Sequence, residues 1–234
     1  MRMNVHYQGI FSDLNRAELF LMSTTLVDVA PAKSQRSSRH DHILDAAEAC
    51  FIRSGLHRTT MQDIAKQAAM SAGNIYRYFD SKEAIVLGMA VREQERGTAA
   101  VLASMQGSED PRAILMDVYL RHFIRIPRSA AVIRVDLWGE VTRNPVMEAL
   151  LRPVHESGRA WFTEMFAALA TSPSCDPQAL YRAVDVLLSG AIVQCATLAH
   201  YDPAPIEAQL DALLDLGLAG RLPGALQDMK ADTK

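Results

Sequence analysis

The run Ser71-Ala72-Gly73-Asn74-Ile75-Tyr76-Arg77-Tyr78-Phe79 holds the residue types needed to read a nucleic-acid duplex. Base edges are met by small or polar side chains, while tyrosines, cations and backbone amides hold phosphates. Ser71 can cap a short helix, with Met70 and Ile75 placed as a hydrophobic staple across its first turn. Ile75 and Phe79, four residues apart, share an inward face. That leaves Ala72, Gly73, Asn74, Tyr76 and Arg77 for the outer face, with Tyr78 and Lys82 beside it. Ala72 and Gly73 permit close approach to a groove. Arg77 is suited to take the O6 and N7 of a guanine together, a contact that discriminates by about 1–3 kcal/mol. Lys82 is expected to contact phosphate, and its loss to weaken binding across all sequences. Thr60 and Ser71 mark helix N-termini, where free amides and the helix dipole attract a phosphate.

These side chains need a frame, and the flanking sequence supplies one. Thr60 precedes Met61-Gln62-Asp63, a near capping box, and Ile64, Ala65 and Ala68 form the apolar face of the helix that follows. Two short capped helices separated by about three residues make a helix-turn-helix. Upstream, Ile43, Ala46, Ala47, Cys50 and Phe51 recur with helical period and Gly55 supplies a stop. Downstream the pattern predicts a connecting helix over 81–105, then a helix from Asp110-Pro111 to about Ile126, ended by Pro127. Further helices are predicted over 129–141, from Pro145 to about Ala170, over 177–200 and from Pro205 to Leu218. Leu187, Leu188, Ala191, Ile192 and Cys195 line one side of the first of the last two. Ile206, Leu210, Leu213, Leu214 and Leu218 form a heptad-like row on the second, a spacing that suits either core packing or contact with a second copy of the chain. No strand pattern occurs. The expected architecture is all-α: an N-terminal arm over 1–37, a three-helix head over 38–83, a helical body over 84–222 and a tail over 223–234. Met22, opening Met-Ser-Thr-Thr, would serve as well as Met1 for a start, so the expectation is that residues 1–21 are not part of the native protein.

Composition narrows the class. The 234 residues are 49% apolar with a net charge of −3, and no run of 18 apolar residues escapes a charge, so no membrane span is expected. Between Pro31 and Lys82 eight basic residues face five acidic ones, an excess of +3 that leaves −6 for the remainder. A basic N-terminal part on an acidic body suits a protein that meets nucleic acid at one end. Cys50, Cys175 and Cys195 are an odd, unpaired set that fits a reducing cytoplasm, with Cys50 and Cys195 read as buried thiols. His40 and His42 flank Asp41, and are read as the polar start of a helix rather than as metal ligands. Phosphate loop, nucleophile elbow, His-Glu-x-x-His and paired-cysteine motifs are all absent, so neither an enzyme nor a cofactor or metal is expected.

Taken together, residues 43–88 resemble the DNA-binding domain of TetR-type transcriptional regulators. The resemblance is carried by the Ile43–Phe51 helix, Gly55, Thr60, Ile64-Ala65, Ala68 and the pattern Ser71-x-Gly73-x-Ile75-Tyr76-x-Tyr78-Phe79-x-Ser81-Lys82-Glu83. It implies a homodimer that binds a palindromic operator with one recognition helix per half-site. It also implies pairing of the helices near 177–200 and 205–218 across the dimer, and a small-molecule effector held in the body. Ala69 departs from the family, which usually has glycine there; a left-handed alanine costs about 1 kcal/mol. Aromatic and polar residues of the middle helices, namely Tyr119, His122, Phe123, Trp138, Trp161, Met165 and Gln194, are the candidates for lining the effector pocket. Arg134 and Glu140 join them in interest if buried.

Overall fold

The computed structural model describes residues 34–107 and 110–222. The greater part of the N-terminal arm, with Met22, and the tail from 223 lie outside the described residues. Every regular element among the described residues is helical: α1 (Ser34–Ser54), α2 (Met61–Gln67), α3 (Ala72–Tyr76), α4 (Lys82–Gly107), α5 (Pro111–Tyr119), α6 (Arg128–Val141), α7 (Pro145–Leu169), α8 (Pro177–Thr197) and α9 (Ala204–Leu218). α1 starts at Ser34, so residues 34–37, read from the sequence as arm, are its first turn. Polar residues with no apolar period extend a helix once its C-terminal part is docked.

The head is built on the inward faces the sequence marks. Ile43, Ala47, Cys50, Ile64, Ala65, Ala68, Ile75 and Phe79 are all buried in one cluster. Gly88 of α4 makes room for Phe79, since a Cβ there would lie 2.9 Å from its ring. Two body helices enter the same cluster: Met147 and Leu151 of α7, and the half-buried Ile133, Leu137 and Val141 of α6.

Between α2 and α3 the chain turns through Ala69 at φ +51°. The Met70 amide donates to the Ala65 carbonyl at 2.9 Å and the Ala69 amide to the Lys66 carbonyl at 3.2 Å, which is a Schellman ending with alanine where glycine is favoured. Replacing Ala69 by glycine relieves the left-handed strain of about 1–2 kcal/mol but returns some chain entropy to the unfolded state. The net expectation is a gain of about 0.5–1 kcal/mol, seen as a higher urea midpoint at constant m. A loss on substitution would mean that the Ala69 methyl is held by favourable contacts.

In the body, α5 passes into a π-helical turn over Leu120–Ile124 before Pro127 stops the chain. Such a turn loosens the ladder, and its carbonyls are collected from outside. Tyr201 donates its hydroxyl to Ile124 O at 3.0 Å, and Arg134 donates Nη1 to His122 O at 2.5 Å. Asn144 and Asp176 cap α7 and α8 through their side chains.

The leucine row of α9 decides between the two readings of its spacing. Ile206, Leu210, Leu214 and Leu218 are buried within their own chain, against Tyr119, Phe166, Leu180 and Val184, so they form core rather than a surface for a second copy. The apolar side of α8 read from sequence is likewise turned inward, with Leu188, Ala191, Ile192 and Cys195 buried. Heptad spacing specifies one apolar face, not what covers it. The outward faces carry Val186, Gly190 and Val193 on α8 and Ala208, Ala212 and Leu216 on α9. α8 is also the one helix among the described residues long and apolar enough to cross a membrane by composition, and its inward face accounts for much of that apolarity.

Candidate nucleic-acid interface and ligand pocket

Both caps form as the residue types dictate. The Thr60 hydroxyl accepts from the Asp63 amide at 3.2 Å, while the Asp63 carboxylate accepts from the Thr60 amide at 2.9 Å and from its hydroxyl at 2.6 Å. Those bonds from Thr60 hold the Asp63 carboxyl below its usual range. The Ser71 hydroxyl accepts from the Asn74 amide at 3.2 Å. Two further anchors escape sequence reading. His42 Nε2 lies 3.0 Å from the Ala68 carbonyl, and the His40 ring packs on Phe79 at 4.3 Å between centroids. Both histidines therefore brace the turn and the end of α3.

The outward set divides on inspection. Gly73, Tyr76 and Arg77 are exposed, and Asn74 is half-buried beside them. Ala72 and Tyr78 are half-buried against the head core, so part of each is spent on packing. A Cβ at Gly73 would meet nothing within 4 Å, so no contact among the described residues requires a glycine there. Tyr76, half exposed, is one of the few large apolar side chains left in solvent. Lys82 has a structural role that its sequence assignment did not include. Its ammonium donates to the carbonyls of Leu56 at 2.8 Å, Thr59 at 3.3 Å and His57 at 3.4 Å, clamping the loop between α1 and α2. Its substitution should therefore cost stability in addition to any change in DNA affinity.

The pocket candidates gather in part. Tyr119 is buried and stacks on Phe162 at 4.9 Å; Phe123 sits 5.9 Å from Tyr119, and Trp161 meets Phe162 edge-on at 4.7 Å. Met165 packs in the same cluster. Trp138 joins a neighbouring one with Phe123 and α8. Gln194 stands apart, exposed on α8. Phe162, which the sequence reading omitted, is the ring that ties the aromatic group together; one more phenylalanine on an amphipathic helix carries no mark of that role.

Beside the aromatics lies a charged group from three elements. His122 Nδ1 is 3.2 Å from the Glu93 carboxylate, and Arg134 Nη2 is 3.7 Å from the same carboxylate while its guanidinium lies 5.5 Å from the Phe123 ring centre. The hydrogen bond from His122 holds Glu93 below the usual carboxylate range, and burial pushes Arg134 down against the pull of Glu93. Glu140 faces the head instead, 3.9 Å from His57 and 3.7 Å from Arg143. The Tyr119 hydroxyl is buried without a hydrogen-bond partner, and burial raises its pKa well above the ordinary phenol value.

A capped helix-turn-helix docked on an all-helical body is the architecture of a bacterial regulatory protein. Residues 43–89 match the family model for bacterial regulatory proteins of the tetR family, and residues 106–216 match that for the tetracyclin repressor-like C-terminal domain. The chain belongs to the TetR family. A stretch of 116 residues is 29% identical to the HTH-type transcriptional regulator UidR of Escherichia coli, covering 48% of this chain and 57% of that protein. The match to the HTH-type transcriptional repressor KstR2 of Rhodococcus jostii is 43% identical over 53 residues, 23% of this chain and 26% of that protein. The chain thus spans little more than half the length of UidR. In fold it is similar to a transcriptional regulator from Saccharomonospora viridis in complex with choline, with a TM-score of 0.63 and 19% identity over 76% of this chain and 96% of that one.

Proposed function

We propose that this chain is a homodimeric repressor that reads a palindromic operator with α3 and leaves it when a small molecule binds the helical body. The outward row on α3 carries the reading: Gly73, Asn74, Tyr76 and Arg77 have no part in the head core, and packing explains neither the glycine nor the exposed tyrosine. For the dimer, the support is the paired outward faces of α8 and α9, where small and apolar residues line up on two adjacent helices. An effector site is supported by the aromatic group around Tyr119, its unpartnered hydroxyl and the adjacent Glu93, Arg134 and His122. A regulator of similar fold in complex with choline supports a small-molecule ligand for this kind of protein, without naming the effector here.

The test is a mobility shift on the DNA flanking the chain's own gene at two salt concentrations. Binding through several phosphates weakens by orders of magnitude between about 50 and 200 mM salt. Equal affinity for a palindrome and for random duplex would sink the proposal. Arg77→Ala should relax base preference at one or two positions of each half-site, by about 1–3 kcal/mol, with the salt slope nearly kept. An unchanged preference with a flatter slope would make Arg77 a phosphate contact instead.

The aromatic group around Tyr119 carries its own prediction. A buried hydroxyl without a partner costs about 1–3 kcal/mol, so Tyr119→Phe should raise the thermal midpoint of the free protein. The same variant should respond less to effectors found by screening against the operator complex. A lower midpoint would mean that the hydroxyl has a partner in solution.

A further inference from the structure

The loop between α1 and α2 is held from two sides by groups of opposite charge. Gly55 ends α1 at φ +79°, and the next amide, that of Leu56, donates to Asp136 Oδ2 of α6 at 2.9 Å. A Cβ at Gly55 would lie 3.1 Å from that oxygen, so the glycine serves the approach as well as the turn. From the other side Lys82 of α4 takes the carbonyls of Leu56, His57 and Thr59. The buried Thr59 closes the loop on itself, donating its hydroxyl to Gly55 O at 2.8 Å. Thr60, the cap of α2, follows at once, so the helix-turn-helix begins where this loop leaves it.

α6, like α7, packs on both the head and the body. Ile133, Leu137 and Val141 pack on the head cluster, whereas Ala131, Val135 and Trp138 pack with Ile192, Cys195 and Ala196 of α8. Ile133, Leu137 and Val141 are apolar contacts and permit sliding; a charged hydrogen bond at fixed length does not. Asp136 is an exposed carboxylate that core packing does not require, and it spans 80 positions of sequence to a backbone amide.

We propose that Asp136 is a positioning residue that fixes the angle of the head relative to α8, and so sets the spacing between operator half-sites that the dimer accepts. The inference rests on the palindrome-reading dimer proposed above. With the bond in place, each recognition helix keeps one orientation relative to the partner's. Without it, the head is held to the body by the apolar contacts of α6 and α7 and the loose His57–Glu140 pair at 3.9 Å, and it tolerates other spacings.

The experiment uses full-length protein and duplexes selected from random DNA by the wild type. The selected palindrome is compared with versions lengthened or shortened by one base pair between the half-sites, which turns one half-site by about a tenth of a helical turn. Wild type should bind the native spacing about tenfold or more tightly than either alternative, the size of a typical single mismatch. Asp136→Ala should narrow that ratio to about threefold or less, and Asp136→Asn, which keeps an oxygen acceptor for the Leu56 amide, should restore it. A variant that is merely less stable would lower affinity for all three duplexes alike and keep the ratio. An unchanged ratio in Asp136→Ala overturns the assignment while leaving the repressor reading intact. A wild type that selects no palindrome at all overturns the repressor reading, and this inference with it.

Discussion

Glutamate in place of Val186 and Leu216 is expected to hold the chain as a monomer and to weaken its binding to a complete operator by about 10²–10⁴-fold. Val186 is 73% exposed and Leu216 is 40% exposed, on adjacent helices whose inward faces are already committed to the core. In a two-fold dimer the same patch meets itself, so each new carboxylate faces a desolvated apolar surface and a like charge on the partner. Neither site is buried within the chain, so folding should be little affected. Loss of the dimer removes the linkage that makes the second half-site an intramolecular event, while affinity for a single half-site should stay as it was. Sedimentation gives the assembly state, and mobility shifts on full and half operators give the two affinities. A double variant that remains dimeric would place the dimer contact on another face.

The sequence made local structure legible and long-range contacts mostly invisible. Thr60, Ser71 and Gly55 announce helix ends because caps and left-handed stops are set by residues within one turn, and each acts in the structure as its type requires. Ala69 is the instructive neighbour: the resemblance flagged it, and the backbone does turn left-handed there. By contrast, the α9 leucines carry the right period but gave no sign that Tyr119, Phe166 and α8 would cover them. Asp136 and Glu93 were unreadable for a simpler reason. Acidic residues on helix surfaces are ordinary, and only the approach of Leu56 or His122 singles these out. Lys82 shows the same limit from the other side, since reading a cation next to a recognition helix as a phosphate contact says nothing of the loop carbonyls it also clamps.

Arg92→Met is expected to be strongly destabilising for a change outside the apolar core, because it removes a cation that three carboxylates of α1 share. The Arg92 side chain is 9% exposed. It reaches Asp45 at 2.6 Å, Glu48 at 3.3 Å and Asp41 at 3.9 Å, and also donates to the Asp41 carbonyl at 3.3 Å. Those acids lie at i, i+4 and i+7 on one face of α1, so without Arg92 they repel one another across successive turns. Hydrogen bonds to charged groups contribute about 1.5–3 kcal/mol. The carboxylates keep part of their exposure, which screens the repulsion and favours the lower half of that range. Arg92→Lys should recover only part of the loss, since a single ammonium cannot present a fork to two carboxylates. Two measurements separate this account from simple packing loss by a long buried stem. Added salt should narrow the gap between Arg92→Met and wild type, and combining Asp45→Asn with Arg92→Met should cost less than the two changes summed. If the gap is indifferent to salt and the changes are additive, the stem rather than the charge is what joins α1 to α4.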